Sequence, residues 1–290
     1  MNVMTKVNEN PVLPSLIVIG AQKCGTTSLH FYLSLHPQIL MSEEKELNFF
    51  IKERNWNKGL EWYASSFEGK KAKIYGESSP AYTNYPLFTG VPARMHTLVP
   101  KAKLLYIVRD PIERMISHYI HVYSLGIENR SIEEALASSD SGNEYLYRSL
   151  YYTQLEQYLM YYPQSQILVI SKEDLENHRR KTLSKVFKFL DVDLNFHSYR
   201  YLLRWHSTSR KRRKTETGMR LSQLAPARLL EYLPIRFRWP IQELLYLPFS
   251  RKIERPKLSE ALRQELTERL KEDINKLRIL TGYNFENWCL

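Results

Sequence analysis

The stretch from Leu16 to Ser28, LIVIGAQKCGTTS, constrains the fold of this chain more than any other. Four apolar residues precede Gly20, and the loop AQKCG then leads into the apolar-periodic TTSLHFYLSL of residues 26–35. This order predicts a buried strand, a tight loop and a helix. A helix start presents unpaired N–H groups and a positive dipole end, and Gly20 and Gly25 remove Cβ atoms from an approaching anion. The stretch is typical of an anion-binding site, and a plain βα connection with glycine turns is the alternative.

The chain is strongly basic and has few cysteines. Its 290 residues carry a net charge of +11, and 43% of them are hydrophobic. These values suit one large α/β domain, and the positive field suits nucleic acid, an acidic lipid surface or a small polyanion. Cys24 and Cys289 belong to no CxxC or Cys/His cluster, which argues against a disulfide-stabilised secreted domain. No apolar signal core and no run of about 18 apolar residues occurs, so we expect a cytoplasmic protein.

The loop differs from the nucleoside triphosphate motif GxxxxGK[ST] at one decisive position. Thr26 stands where that motif has its lysine, so a nucleotide kinase would lack a phosphate ligand. The sequence GAQKCGTTSL resembles the 5′-phosphosulfate loop of sulfotransferases, which use 3′-phosphoadenosine 5′-phosphosulfate (PAPS). The resemblance implies that Lys23 is catalytic and that it contacts the oxygen between phosphate and sulfuryl group. It also implies a 5′-phosphate cradle formed by Gly25, Thr26, Thr27 and Ser28. We expect no metal ion, because a sulfuryl group carries less charge than a terminal phosphoryl group and Lys23 can supply the compensating cation.

The segment MSEEKELNFF, residues 41–50, places acidic residues just before an aromatic pair. One interpretation is a solvated charged turn ahead of a packed pair, Phe49 and Phe50. The other is that KELNFF resembles the KExxFF segment of heparan-type and bacterial sulfotransferases, which implies that Glu46 is the general base. A carboxylate held against the two rings would be partly desolvated, which favours a raised pKa. Asn48 stands where heparan-type enzymes often have His, so we expect it to form a hydrogen bond rather than to relay a proton.

The segment KIYGESSPAY, residues 73–82, predicts a short strand followed by a Ser/Pro turn. Ligands of open α/β sheets collect at such carboxyl ends of strands. The segment also resembles the GExSPxY pattern of the same family. We expect Glu77 either to cap or salt-bridge the turn or to contact the ligand. Some heparan-type enzymes have a substrate-contacting lysine where Ser78 stands, so the resemblance does not imply a heparan acceptor.

A second phosphate motif lies in KLLYIVRDPIERMISHYIH, residues 103–121. Residues 104–108 predict a buried parallel strand, followed by a helix with Asp110 as N-cap and a proline in its first position. The pattern RDPxxRxxSxY resembles the 3′-phosphate motif of the same family, which implies that Arg109 and Ser117 hold the 3′-phosphate. Arginine suits that role because its planar guanidinium can make two charge-assisted hydrogen bonds to a phosphate.

Three other side chains of this predicted helix also have expected roles. We expect Arg114 to be a surface ion-pair partner of Asp110 or Glu113. His118 and His121 share a helix face, and we do not expect them to bind a metal ion, because no metal-ligand spacing occurs in the sequence.

The middle of the chain offers weaker candidates for donor contacts. Residues 124–147 are polar, and we expect a flexible excursion over the substrate cleft. Residues 148–163, RSLYYTQLEQYLMYYP, predict a helix with a dense tyrosine face. The family often contacts PAPS at this point, so the resemblance makes Ser149 and Tyr151 further candidates.

The most basic run of the chain is RKRRK, residues 210–214. Such a run is typical of a solvated loop or a nucleic-acid patch. The family resemblance instead implies a mobile loop that closes over the 3′-phosphate, and it makes Arg212 and Arg213 candidate contacts.

Repeated strand and helix patterns predict the fold class. We expect an α/β, P-loop-like three-layer fold with a central parallel sheet flanked by helices. The polar residues 1–14, with two prolines, predict a flexible lead-in, and the resemblance implies a single sulfotransferase domain over 15–290. Within that domain we expect a nucleotide-covering loop at about 206–220 and a C-terminal helical part at about 218–290. A long amphipathic helix is predicted from Ser259 to Leu280, ahead of a family-like ending with tryptophan.

These motifs together predict a PAPS-dependent O-sulfotransferase. The acceptor would be a hydroxyl of a sugar, a lipid or a polyketide-type alcohol, and 3′-phosphoadenosine 5′-phosphate (PAP) would be released. A nucleotide kinase and a nucleic-acid binder that uses residues 210–214 are the alternatives. A phosphatase with Cys24 as nucleophile is a further alternative, but it would need an arginine where His30 stands. The family's animal Golgi members carry a membrane anchor, so we expect a bacterial-type enzyme or a shortened chain.

Overall fold

The computed structural model describes residues 11–69, 71–138, 143–202, 211–215, 217, 218, 220 and 247–288. Most of the predicted lead-in lies outside the described residues. So do Arg210, Cys289 and a large part of the predicted C-terminal helical region.

A five-stranded parallel sheet lies at the centre of the molecule, in the order β2-β3-β1-β4-β5. Its strands are β1 (Leu16–Gly20), β2 (Ile39–Met41), β3 (Ile74–Ser78), β4 (Lys103–Val108) and β5 (Ile167–Ser171). The middle strand, β1, is buried along its whole length, as expected of a parallel strand covered on both faces. This architecture confirms the predicted fold class. The short strand β2 was not predicted, because three residues carry too little periodicity.

Helices surround the sheet and connect its strands. They are α1 (Thr26–Ser34), α2 (Gly59–Ser65), α3 (Val91–Leu98), α4 (Pro111–Ser124), α5 (Ile132–Ala137), α6 (Glu144–Tyr147), α7 (Tyr151–Leu159), α8 (Lys172–Asn177), α9 (Arg179–Leu190) and α10 (Glu260–Thr281). No helix among the described residues is long and apolar enough to cross a membrane.

Local sequence determines where helix α4 begins, whereas tertiary contacts help to determine where α7 begins. Helix α4 begins as predicted, with Asp110 accepting the Glu113 N–H at 2.9 Å. The helix predicted over 148–163 is shorter, because its first residues turn inward and α7 begins only at Tyr151. Asp273 of α10 then accepts hydrogen bonds from the N–H groups that open α7, which fixes α10 against it.

The described part of the basic run is not a simple loop. Residues Arg212–Lys214 form β6, which pairs antiparallel with β7 (Ser250–Lys252). Arg213 lies opposite Arg251 in this ribbon. Successive side chains of a strand point to opposite faces. Where this ribbon packs on the domain therefore decides which of its lysine and arginine side chains lie near the carboxyl ends of the central strands.

Candidate active site

The loop after β1 leads directly into the N-terminus of α1. Gly25 adopts φ 98° at the N-cap, a left-handed conformation that favours glycine. The first N–H groups of α1 therefore face the end of the loop without a capping side chain. Gly20 has a different role from the one expected. A Cβ there would lie 2.0 Å from the Thr83 hydroxyl and 2.8 Å from the Tyr106 ring, so packing, not anion approach, requires glycine.

The predicted phosphate cradle lies on the first turn of α1. Thr26 is buried, and its hydroxyl oxygen lies 3.5 Å from the Lys45 ammonium, which donates to it. Thr27 and Ser28 follow and are half-buried. The three hydroxyl residues thus lie on the same turn as the uncapped N–H groups, and their role as a phosphate cradle stays a prediction.

Lys23 lies where three segments of the chain converge. Burial lowers the pKa of its ammonium, the nearby charges of Arg114 and Arg109 lower it further, and Glu46 opposes them. The ends of β1 and β4 and the loop after β2 therefore meet at one point. Tyr151 links the first two of these segments, because its hydroxyl donates to the Arg109 carbonyl at 2.8 Å and lies 3.6 Å from Cys24 Sγ.

Arg109 follows β4 and points along the same edge of the sheet. One of its terminal nitrogens pairs with Glu113 at 3.2 Å, while its Nε is buried without a partner. Ser117 is buried on α4, two turns further along the helix. The carboxylate of Glu113 also pairs with Arg255, which follows β7.

The prediction for Arg114 was wrong. Its side chain is fully buried, with Nε donating to Ser149 Oγ at 2.6 Å, and a terminal nitrogen donating to the Tyr145 carbonyl. Its other terminal nitrogen, Nη1, has no partner, and burial lowers the pKa of the guanidinium. Helical spacing could have revealed this, because positions 114, 117, 118 and 121 share one face of α4. Ser149 is equally buried, and its hydroxyl also faces the Pro111 and Tyr145 carbonyls.

The two histidines of α4 lie in this positive surrounding. His118 is buried with an unpartnered Nδ1, and burial together with Arg114 and Arg148 holds its pKa well below the usual value. Burial and the charges of Lys23 and Lys211 lower the pKa of His121 to about 4. Both imidazoles are therefore neutral near pH 7.

Lys211 is the residue that sequence reasoning missed in the basic run. Its ammonium donates to His121 Nδ1 and lies within hydrogen-bonding reach of Lys23, and burial and Lys23 lower its pKa to about 7. Arg212, a predicted contact, instead donates to Ser250 Oγ at 2.9 Å. Arg213 donates to Asn129 and lies 3.9 Å from the centre of the Tyr123 ring. The structure therefore places Lys211, and not the two arginines, beside the loop after β1.

Arg148 is a second cation that the sequence did not reveal. It is buried, donates to the Gln22 side chain next to Lys23, and pairs with Glu144. Burial lowers the pKa of its guanidinium to about 10, and its Nε has no partner.

We call the following residues the cationic cluster: Lys23, Arg109, Arg114, Arg148 and Lys211. Among the described residues, Lys23, Arg114 and Lys211 form no ion pair with an acid. Buried nitrogen atoms without partners are costly unless a ligand satisfies them. The cationic cluster therefore fits a polyanion. No grouping of acidic, histidine and cysteine side chains suited to a metal ion occurs within the described part of the chain.

The loop that carries Glu46 lies beside this cluster. Its N–H donates to the Ser78 carbonyl at 2.9 Å, and its carboxylate pairs with Lys45 at 2.9 Å. The expected desolvation against Phe49 and Phe50 was wrong, since 53% of the Glu46 side chain is exposed while both rings are buried. The carboxylate is therefore open to solvent beside the cationic cluster.

Glu77 has neither of the expected roles of cap or ion-pair partner. It is fully buried and accepts hydrogen bonds from the hydroxyls of Tyr63, Tyr82 and Ser79 at 2.7, 2.8 and 2.7 Å. The phosphatase alternative also loses support. Cys24 is buried, and burial raises the pKa of its thiol, which disfavours a thiolate nucleophile.

Comparisons with known proteins agree with this geometry. The chain is 29% identical over 198 residues to the human bifunctional heparan sulfate N-deacetylase/N-sulfotransferase 2, covering 62% of this chain and 22% of that protein. It is 31% identical over 197 residues to the human heparan sulfate glucosamine 3-O-sulfotransferase 5, covering 64% and 56%. The chain thus spans only part of the length of these relatives.

The fold is also found among solved structures. A sulfotransferase from Alicyclobacillus acidocaldarius superimposes with a TM-score of 0.68 at 24% identity, covering 96% of this chain and 99% of that one. Finally, the family model described as the sulfotransferase domain matches residues 13–222, which include the loop after β1, Glu46 and Arg109. This chain therefore belongs to the sulfotransferase domain family.

Proposed function

We propose that this protein transfers the sulfuryl group of PAPS to an acceptor hydroxyl and releases PAP. The observation that carries the proposal is the neighbourhood of Lys23. The charge of Arg109 lowers the pKa of Lys23 and the charge of Glu46 raises it, so the three residues lie close together although they come from three separate segments. A donor with an anion at each end needs separate cationic contacts, and an acceptor needs a base on the opposite side.

The cationic cluster supports the donor half of the proposal. The N-terminus of α1 with Gly25, Thr26, Thr27 and Ser28 would hold the 5′-phosphate. Arg109 and Ser117 would hold the 3′-phosphate, for which the unpartnered Nε of Arg109 is suited.

Other residues near the donor would contribute less directly. Tyr151 would fix the Arg109 backbone through its hydroxyl, and Ser149 would orient Arg114. Lys211 would add positive charge beside Lys23, and β6, which begins at the next residue, would hold it in that position.

The residues of the chain divide the chemistry between them. The acceptor oxygen forms a bond to sulfur while the bond between sulfur and the phosphate oxygen breaks, in line. Glu46 takes the acceptor proton, and Lys23 stabilises the negative charge that develops on the leaving phosphate oxygen. Positioning and electrostatic stabilisation dominate such a transfer, as they do in phosphoryl transfer.

The acceptor is proposed to be a hydroxyl of a carbohydrate or of a small-molecule alcohol. One of the relatives above is named as an N-sulfotransferase and another as an O-sulfotransferase, so an amine is the competing acceptor class. The accessible carboxylate of Glu46 favours a hydroxyl acceptor. A hydroxyl needs a base to become a good nucleophile, whereas a neutral amine is nucleophilic before it loses a proton.

Labelled PAPS provides the test. The protein is incubated with ³⁵S-labelled PAPS and a panel of hydroxyl and amine acceptors, and transfer is followed by release of PAP. We expect label on a hydroxyl acceptor, without added metal and with an equal amount of PAP formed. Turnover of ATP that depends on Mg²⁺, with no transfer from PAPS, would favour the kinase instead.

A further inference from the structure

Glu77 is a buried carboxylate that the proposed reaction does not use. It lies on β3 beside β1, and no ion pair among the described residues includes it. Its oxygens instead accept hydrogen bonds from Tyr63, Tyr82 and Ser79. A buried carboxylate without a cationic partner lowers the stability of the fold. A gain in stability therefore does not explain why Glu77 is buried here.

All three donors lead to the same loop, residues 46–50, which we call the base loop. Ser79 Oγ accepts the Asn48 N–H at 2.9 Å. The Tyr82 hydroxyl accepts the Phe50 N–H at 3.4 Å. The Tyr63 ring stacks on Phe49 with centroids 4.2 Å apart and planes 8° from parallel. Glu77 is therefore the common centre of three contacts that fix the base loop, in addition to the hydrogen bonds from the Glu46 N–H to the Ser78 carbonyl and from Arg94 Nε to the Phe50 carbonyl.

The base loop needs such support because of its backbone. Glu46 and Asn48 have φ values of 66° and 49°, in the left-handed region that non-glycine residues avoid. The Asn48 side chain bridges them by donating to the Glu46 carbonyl at 2.7 Å. Such conformations persist only where the surroundings enforce them.

The Glu77 carboxylate sets the direction of these hydrogen bonds: burial raises its pKa, while the three hydroxyls that donate to it oppose that shift and favour the ionised form. An ionised carboxylate only accepts, so each neighbouring hydroxyl must turn its proton toward it. The oxygen lone pairs of Ser79 and Tyr82 are then left to accept the N–H groups of Asn48 and Phe50. A glutamine has the same shape, but its amide group would donate to one of these hydroxyls and reverse that pattern.

We infer that Glu77 is a positioning residue, which fixes the base loop so that the Glu46 carboxylate stands at a set place beside Lys23. This role rests on the proposed function, in which Glu46 is the base. It differs from a purely structural role in one way: the loss should fall on turnover and not on nucleotide binding.

Glu77→Gln tests the inference, measured by kcat, by the Kd for PAP and by hydrogen exchange of backbone amides. We expect kcat to fall about 10–100-fold, as for lost supporting contacts of a site, while the Kd for PAP changes less than about twofold. The Asn48 and Phe50 amides should exchange faster, whereas those within β3 keep their protection. Ser79→Ala gives a second variant if Glu77→Gln does not fold, with the same expectation for kcat and for Asn48.

Tyr162→Phe is the matched control for Tyr82→Phe. Tyr162 is also a buried tyrosine, but its hydroxyl donates to the Val99 carbonyl at the opposite edge of the sheet. Tyr82→Phe loses two buried hydrogen bonds and Tyr162→Phe loses one, and only Tyr82→Phe should lower kcat.

The outcomes separate the two proposals. An unchanged kcat in folded Glu77→Gln, or equal losses of kcat and PAP binding that follow the melting temperature, overturns the positioning role. Near-normal turnover in Glu46→Gln overturns the base assignment itself, whatever Glu77→Gln does.

Discussion

The cationic cluster and the base loop are neighbours, yet they differ in how far their buried polar groups are hydrogen-bonded. In the cationic cluster, buried nitrogens of Arg109, Arg114 and Arg148 have no partner. Around the base loop, each oxygen of the Glu77 carboxylate accepts at least one hydroxyl, and backbone N–H groups find side-chain acceptors. The first region has cationic nitrogens left for a ligand to satisfy. In the second, the hydrogen bonds between the Glu77 hydroxyl partners and the loop are already made, and only Asn48 Oδ1 is buried without a partner.

The difference explains how one site can bind and catalyse. A binding surface for a polyanion gains affinity from cations that are poorly satisfied in the free protein, because the ligand then restores their partners. A general base gains rate from being held in place beforehand. Changes in the two regions should therefore damage different steps.

Glu46→Gln should have the largest effect, confined to turnover. Removal of a general base costs about 10²–10⁴-fold in kcat, while the Kd for PAP should stay within about twofold. Single-turnover assays and isothermal titration measure the two quantities. Glu44→Gln is the matched control, since it makes the same change at an exposed position two residues away. A weakened Kd in Glu46→Gln would break the division between the regions.

Arg109→Ala should have the reverse effect, with a smaller magnitude. Loss of a bidentate contact to a phosphate costs about 1.5–3 kcal/mol, so the Kd for PAP should rise roughly 10–100-fold. Arg269→Ala on α10, where the guanidinium pairs with Glu265, is the control and should bind PAP normally. An unchanged Kd in Arg109→Ala would remove this residue from the nucleotide site.

The smallest predicted effect is a pH dependence of PAP binding. Lys211 has a pKa of about 7 in the free protein, lowered by burial and by Lys23. A bound anion raises that pKa, so binding above pH 7 takes up a proton and the affinity falls as pH rises. Between pH 7.5 and 9, where the phosphates are fully ionised, the slope should approach but not exceed about tenfold per unit.

Lys211→Met should flatten that slope, and titration in buffers of different ionisation enthalpy should no longer detect proton uptake. The same linkage acts on stability without ligand. The unfolded chain binds more protons than the folded one between pH 7 and the ordinary lysine pKa, so this lysine makes stability rise with pH in that window. A slope that is equally steep in Lys211→Met would assign the titration to another group.

The sequence predicted the framework of the site well. The apolar runs before Gly20 and Arg109 specified buried parallel strands, and Asp110 specified where α4 starts. These features depend on local pattern and capping, which neighbouring residues decide.

The errors arose where tertiary packing decides the environment. Arg114 is predicted to be exposed because a charged residue near Asp110 usually is, and only the packing of α6 and of the connection after it against α4 buries it. Lys211 was missed because its importance depends on where the β6 and β7 ribbon docks. Glu46 was expected to be desolvated by its aromatic neighbours, but their rings are buried in the core while its side chain is exposed to solvent.

Glu113 illustrates how the free protein can keep its charges in balance. One carboxylate pairs with both Arg109 and Arg255. If a bound phosphate took over Arg109 from Glu113, Glu113 would not be left unpaired, because it would keep its ion pair with Arg255. The carboxylate holds the Arg109 side chain in position before the phosphate binds. It also connects the proposed donor pocket to the segment that follows β7, through its ion pair with Arg255.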